Sequence, residues 1–285
     1  MTGDSAGGAG GTLYIVATPI GNLSDVTFRA VEVLGAVPLI AAEDTRLTKR
    51  LLERHGLTTR LTSFHAQSGP GRRSALLEHL RGGTDLALVT DAGTPVVSDP
   101  GEDLVSAWAG EGGRVVPIPG ASAVLAAVSA SGVTGPRWSF EGFLARSGRD
   151  RRERLAAIAA DPRGSVLFEA PGRVGDTLRE LATVCGARRA GAVCRELTKV
   201  HEQIVRGTLG ELAMAVEAGT IPSRGEFVLI VGSGAAVAAA DDDALPAALD
   251  AVDRLVADGL ARGEAARRVS TETGIPRRRL YVPAR

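Results

Sequence analysis

Short apolar runs punctuate the first half of the chain, each followed by a polar or Gly/Pro-rich stretch and then by apolar residues at helical spacing. The runs fall at residues 13–17, 38–42, 86–89 and 114–118. They show no alternation of apolar and polar positions, the pattern of strands buried on both faces of a parallel sheet. After the first run, Ser24 or Asp25 suits a helix cap, with Val26, Ala30, Val33 and Leu34 recurring at helical spacing. A second helix is predicted over 47–54. The unit is fullest over 86–101, LALVTDAGTPVVSDPG. There a buried strand ends in a small, turn-forming loop, and Asp99 suits the N-cap, Pro100 the first helical position and Glu102 the reciprocal capping position. Strand, loop and helix repeated in this way predict an α/β fold whose functional loops share one sheet edge.

Turn signals over 131–136 predict a domain boundary. Beyond it, strands are predicted over 138–143, 165–168, 190–194, 202–206 and 227–231, and helices over 151–160, 173–184 and 209–217. The strands at 190–194 and 202–206 follow each other closely enough to be neighbours, which predicts a mixed sheet. The chain then passes through Ala-rich sequence and Asp241, Asp242 and Asp243. A tail follows in which Leu255, Leu260, Ala265, Ala266 and Val269 fit helical spacing, broken over 274–276. The organisation expected is a disordered leader over 1–11, an N-terminal α/β domain over 12–132 and a C-terminal α/β domain over 133–234. A linker over 235–244 and a small helix-turn-helix-like tail over 245–285 complete it.

Composition changes this picture in three ways. At 285 residues, with 44% hydrophobic and 23% charged positions, the chain has room for two modest cores. Aromatic residues make up only 4%, which argues against extensive stacking of bases on exposed rings. Net charge is zero, which argues against bulk attraction to nucleic acid but not against local basic patches, and the charge is uneven. From Arg254 onward there are eight Arg and three acidic residues, leaving the remainder negative by the same excess. The basic end at Arg277, Arg278 and Arg279 reads either as a phosphate contact or as a solvated helical face. Cys185 and Cys194 have no metal-ligand spacing, so neither a metal site nor a disulfide framework is expected. No run reaches the length of a membrane span and no signal peptide is visible, so the expected compartment is the cytoplasm.

Candidate chemistry lies in the loops. No G-x-G-x-x-G opens a helix, and neither a G-x-x-x-x-G-K-[ST] nor a G-x-S-x-G motif is present, which removes the main support for dinucleotide, P-loop and esterase readings. What remains is TPIGN at 18–22, EDTR at 43–46, DAGTP at 91–95 and PGASA at 119–123. Asp91 reads either as a ligand contact or as a cap on local amides. Together with FEGFL at 140–144, EAP at 169–171 followed by Arg173, RELTK at 195–199 and GEFVL at 225–229, these motifs run in order from about 13 to 232. The set resembles the tetrapyrrole methylase superfamily of S-adenosylmethionine-dependent methyltransferases, and most closely its ribosomal branch. The chain departs from that pattern at Phe168 and Gly172, where Tyr and His are expected, at Ala145 in place of proline and at Ala66 in place of an acid. The cofactor loops are intact.

The resemblance implies two α/β domains with S-adenosylmethionine in the cleft between them, in a homodimer. It implies methylation of the ribose 2′-hydroxyl of a cytidine in the decoding region of 16S ribosomal RNA, within the small ribosomal subunit. For the cofactor it implies Pro19, Ile20, Gly21, Asp91, Gly93, Thr94, Ser122, Ala123, Phe168, Gly225 and Glu226. A ribose hydroxyl is a poor nucleophile, so a base should take its proton. Candidates are Glu43, Asp44 and Glu169; Lys199 would serve with a lowered pKa or as a stabiliser of the alkoxide. The structural alternatives are Asp44 as a helix cap, Glu169 paired with Arg173, and Lys199 paired with Glu196 or Glu202. For RNA, the candidates are Arg46, the cluster holding Arg146, Arg149, Arg151 and Arg152, and Arg277 to Arg279. Two rival readings remain: a corrinoid or precorrin C-methyltransferase, and a non-catalytic RNA-binding ribosome-assembly protein.

Overall fold

The structure, a computed structural model, describes residues 10–234, 244–273, 275 and 277–281. Most of the expected leader, and the expected linker apart from Ala244, lie outside the described residues. The chain divides into two compact units, Met1–Ala130 with Arg195–Gln203, and Ser131–Cys194 with Ile204–Arg285. The division is thus not a single cut near residue 132, because one later loop belongs to the first unit.

The first unit runs β1 (Thr12–Val16), α1 (Phe28–Ala36), β2 (Ile40–Ala42), α2 (Thr45–Arg54), β3 (Leu61–Ser63), α3 (Pro70–Arg81), β4 (Leu86–Val89), α4 (Glu102–Gly110), β5 (Arg114–Ile118) and α5 (Ala123–Ser131), whose last residue falls past the division. Its sheet has the order β3-β2-β4-β1-β5, with the pairings all parallel. Both faces are covered, as the unbroken apolar runs require. On one face Ala87 and Val89 pack with Leu34, Leu51 and Leu52; on the other Leu86 and Leu88 pack with Leu76, Leu80, Leu104 and Trp108.

Two helix starts differ from the sequence expectation. Asn22 accepts a hydrogen bond from the Ser24 amide and winds a short 3-10 turn, Leu23–Asp25, so the cap of α1 passes to Thr27, whose hydroxyl accepts from the Ala30 amide. Helix α4 is capped not by Asp99 but by Gly101, at φ 125°, and opens at Glu102. The preceding loop is wound too tightly for the earlier cap: Val96 and Ser98 both sit at positive φ, 76° and 66°. The sequence reading assigns no element between Arg54 and Leu86, where β3 and α3 lie. Gly69 and Pro70 mark the α3 start in the usual way, with Pro at the first helical position.

The second unit runs β6 (Trp138–Phe143), α6 (Arg149–Ala160), β7 (Gly164–Glu169), α7 (Val174–Cys185), β8 (Ala190–Arg195), β9 (Gln203–Thr208), α8 (Leu209–Glu217) and β10 (Phe227–Val231), with β8 and β9 each reaching into the returning loop. Its sheet has the order β6-β7-β10-β8-β9. With β6 parallel to β7 and β10 antiparallel to it, the sheet is mixed, and β8 neighbours β9 as the sequence predicts. Leu155 and Ile158 of α6, Leu178 and Leu181 of α7, and Leu209 and Leu212 of α8 share one core with Leu167 and Leu229 of the sheet. Three helices follow, α9 (Ala244–Ala257), α10 (Arg262–Thr273) and α11 (Arg277–Leu280), around a core of their own that includes Val252, Ala265, Val269 and Leu280. Among the described residues no helix is long and apolar enough to cross a membrane, and no cluster of potential metal ligands occurs.

Candidate functional site at the carboxyl edge of the first sheet

Strands β1 and β4 are neighbours in the sheet although β2 and β3 separate them in the chain. The connection leaving β1 leads to one side of the sheet and that leaving β4 to the other. This is a topological switch point, where a crevice opens at the carboxyl ends of the strands. The two loops that flank it are tied to each other. The Thr18 amide donates to the Gly93 carbonyl at 2.8 Å, the Gly93 amide returns a bond to Thr18 at 3.0 Å, and the Thr18 hydroxyl donates to the Thr90 carbonyl at 3.1 Å. Gly93 holds φ 88°, a backbone conformation that favours glycine. The loop after β5 joins the same edge: the Thr94 hydroxyl donates to the Ala121 carbonyl at 3.3 Å, and Ser122 accepts from the Leu125 amide at 3.4 Å. Pro19 and Ile20 are buried, Ala123 half-buried.

The acids of this edge differ in what they touch. Glu43 accepts from the Thr90 hydroxyl at 2.7 Å. Asp91 accepts the Asp44 amide at 2.8 Å, so one of its oxygens does cap a neighbouring loop. Burial, reinforced by Glu43 and Asp44, pushes the Asp91 carboxyl upward. Asp99 is pushed up to about 6 by burial; the Thr90 hydroxyl that it meets opposes the shift, and Glu43 and Asp91 add to it. Asp44 goes the other way. Its side chain accepts from the Arg46 amide, capping α2, and grips the exposed Arg46 guanidinium at 2.6 Å. Those bonds, the guanidinium first, hold its carboxyl at about 2. Sequence reasoning treats Asp99 only as a cap, and it misses Thr90 and Thr18, because their roles depend on strand order.

The loop that returns to the first unit carries Lys199. Its ammonium lies 2.8 Å from Glu196, while Glu202 accepts the Thr198 amide at 2.6 Å. Glu196 and Thr198 hold φ 51° and 66°, conformations that non-glycine residues seldom adopt. Gly21 packs directly on this loop: a Cβ there would stand 2.4 Å from Lys199 Cγ and 2.9 Å from Thr198 Oγ1. That Thr198 hydroxyl is buried with no hydrogen-bond partner among the described residues. Strained backbone and an unsatisfied buried hydroxyl mark functional sites more often than scaffolds. A glycine-lined edge with such a hydroxyl beside it fits a small polar group approached by backbone.

In the second unit two expectations are corrected. Glu169 is fully buried and engaged at both oxygens: Oε1 accepts the Ala170 amide at 2.8 Å and faces Arg173 at 3.3 Å, and Oε2 accepts the Thr177 hydroxyl at 2.6 Å. It is a structural node, closed to an incoming hydroxyl. Arg151 is not an RNA contact, because its guanidinium is buried, bonding Glu180, the Thr177 hydroxyl at 2.8 Å and the Ala145 carbonyl at 3.0 Å. Arg146, Arg149 and Arg152 are exposed, Arg149 against Glu153 at 2.6 Å. Phe168 lies half-buried, edge-on to Phe140 with centroids 5.0 Å apart. Gly225, at φ 94°, and the exposed Glu226 form the turn into β10. Arg277 is exposed and Arg279 half-buried on α11; the Arg278 side chain lies outside the described residues.

The family model for Tetrapyrrole (Corrin/Porphyrin) Methylases matches residues 12–213. A Synechocystis protein named ribosomal RNA small subunit methyltransferase I is 46% identical over 271 residues, covering 95% of this chain and 96% of its own length. Proteins of the same name from Escherichia coli O157:H7 and Bacillus subtilis are 45% identical, covering 80% of this chain and 79% of their own, and 38% identical, covering 95% and 93%. Among solved structures, a cobalt precorrin-4 methyltransferase superposes with a TM-score of 0.60 at 19% identity, covering 77% of this chain and 94% of its own. The Thermus thermophilus uroporphyrin-III C-methyltransferase complexed with S-adenosyl homocysteine does so at 0.57 and 21% identity, covering 78% and 97%. At such identities the structural likeness shows the fold.

Proposed function

Because the chain belongs to the tetrapyrrole methylase family and, within it, groups with the ribosomal RNA small subunit methyltransferase I proteins, we propose that it methylates small-subunit ribosomal RNA. The acceptor in this reading is the ribose 2′-hydroxyl of a cytidine in the decoding region of 16S RNA, and the methyl donor is S-adenosylmethionine. The same reading makes the protein a cytoplasmic homodimer. The observation that carries it is the carboxyl edge of the first sheet, where the loops after β1, β4 and β5 are knitted by the reciprocal Thr18 and Gly93 bonds and the Thr94 bond to Ala121.

Pro19, Ile20, Gly21, Asp91, Gly93, Thr94, Ser122 and Ala123 of the first unit would hold the cofactor. When bound, S-adenosylmethionine supplies an activated methyl group. The remaining work is positioning and proton transfer by the chain. Asp44, held at about 2 by Arg46, is a poor proton acceptor, and Glu169 is closed. Glu43 is the better base. The Thr90 hydroxyl fixes one of its oxygens at 2.7 Å, and its carboxylate lines a cavity of about 420 Å³ at this edge. Lys199, packed on Gly21, would stabilise the developing alkoxide.

The test is labelled methyl transfer to small ribosomal subunits from a strain lacking this protein, with products mapped for 2′-O-methylation. Label at one decoding-region cytidine, abolished in Asp91→Ala and lowered about 10²–10⁴-fold in kcat by Glu43→Gln, is the expected result. Cofactor binding without label on subunits would sink the RNA assignment and turn the search to tetrapyrrole acceptors.

A further inference from the structure

Beside Glu43 the carboxyl edge is hollow. The cavity of about 420 Å³ continues past Glu43 to Asp44, Arg46 and the loop after β3, and a second of about 550 Å³ lies between that loop and the start of α3. Ser63, His65 and Gln67 line both. The wall they form is tied by local hydrogen bonds. Residues 65–68 make a closed turn in which the Ser68 amide donates to the His65 carbonyl at 2.8 Å and the His65 amide to Ser68 Oγ at 2.9 Å. The Gln67 amide donates to His65 Nδ1 at 3.2 Å, so the neutral ring carries its proton on Nε2. The imidazole, bonded at Nδ1, stays exposed, and Ala66 beside it adds little bulk. Beyond the turn, Arg72 lines the second cavity, with its guanidinium anchored on the Thr62 hydroxyl at 3.0 Å.

Both volumes fall in the range of small-molecule sites, about 300–1,000 Å³, but the lining is polar. It offers one aromatic ring, one amide that both donates and accepts, and the Arg72 guanidinium, while that of Arg46 is held by Asp44. Those are the groups by which an unstacked RNA base is held, stacked on a ring and hydrogen-bonded along its edge, while cations take the phosphates. We propose that this groove seats a single-stranded RNA segment by one unstacked nucleotide, its base on His65 with Gln67 on its edge, and an adjoining phosphate at Arg72. The proposal rests on the methyl-transfer reading only for which nucleotide is seated: the acceptor, whose ribose would then lie toward Glu43. His65 and Gln67 become substrate-binding residues to which the sequence reading gave no role.

The experiment uses the full chain, a fluorescent six-nucleotide oligocytidylate read by anisotropy, and S-adenosylhomocysteine binding read by calorimetry. His65→Ala should weaken the oligonucleotide about 5- to 150-fold, the range of one lost base stack, and raise KM for small subunits in step with little change in kcat. His65→Phe should restore most of the affinity, Gln67→Ala should weaken it, and S-adenosylhomocysteine affinity should stay the same in all three. Oligonucleotide affinity and KM unchanged in both His65→Ala and Gln67→Ala overturn the proposal. So does failure of His65→Phe to recover any affinity lost by His65→Ala, since the ring would then not act by stacking. If binding depends on His65 yet wild-type protein takes up no S-adenosylhomocysteine, the groove stands and the methyl-transfer reading falls.

Discussion

At the scale of single residues, the acids of the carboxyl edge carry different proton affinities because each has different neighbours. Asp44 is exposed to a guanidinium and stays ionised to low pH; Asp99 is turned into the loop after β4, among Thr90, Glu43 and Asp91, and is pushed up to about 6 from 3.8. The folded chain therefore keeps the Asp99 proton through a window in which the unfolded chain has lost it. Its contribution to stability is intact below about pH 4, declines as pH rises from about 4 to 6, and is flat above. Asp99→Asn should then stabilise the protein relative to wild type above pH 6 and match it below pH 4. A rise of about two pKa units corresponds to about 3 kcal/mol; partial exposure of the side chain to solvent reduces the expectation to about 1–2 kcal/mol. Urea unfolding of both proteins across that range measures it, and a difference that does not vary with pH would refute the assignment. The sequence places Asp99 directly before a predicted helix, where it reads as a cap, since nothing local announces that Thr90 is its neighbour.

At the scale of elements, α6 shows what periodicity leaves open. Four arginines fall within its first six positions, 149–154, and all read as a basic surface. In the structure Arg151 turns inward and links α6 to Thr177 and Glu180 of α7, while Arg152 faces solvent. Replacing Arg151 by Ala should cost about 2–3 kcal/mol in denaturant unfolding, because it removes the guanidinium that donates to the buried Thr177 hydroxyl and pairs with Glu180. Replacing Arg152 should change stability by less than about 0.5 kcal/mol. Equal effects of the two would contradict the inward placement. Strands β1 and β4 were legible because burial on both faces leaves an unbroken apolar run, and α8 because burial of one face recurs at helical spacing. The three-residue β3 is too short to carry such a mark alone, and the start of α1 moved because two competing caps, Asn22 and Thr27, lay on either side of the expected one.

At the scale of the whole molecule, zero net charge means that any hold on RNA comes from particular cations and not from the overall field. Of the arginine cluster, Arg146 and Arg152 are exposed without the inward bonds that engage Arg151. If they meet phosphates, replacing each by Ala should reduce the slope of log affinity for small subunits against log salt by about 0.7–0.9. Arg151→Ala, in protein that remains folded, should leave the slope as it was. A slope insensitive to Arg146 and Arg152 would remove the cluster from the interface.

The sequence by itself determined the α/β class, the parallel first sheet and mixed second one, and the motifs that end the strands of the first sheet, because these are properties of neighbouring residues: which positions are apolar, which loops are small. Only the tertiary structure decided that β4 lies beside β1, so that Thr18 meets Gly93, and that residues 195–203 return to set Lys199 on Gly21. It likewise decided that Glu169 is spent on Arg173 and Thr177 and that His65 faces an open groove. Each of those outcomes depends on which distant surface a side chain is packed against. Local pattern sets what must be buried, and the pairing of remote elements sets which polar groups are left to meet a ligand.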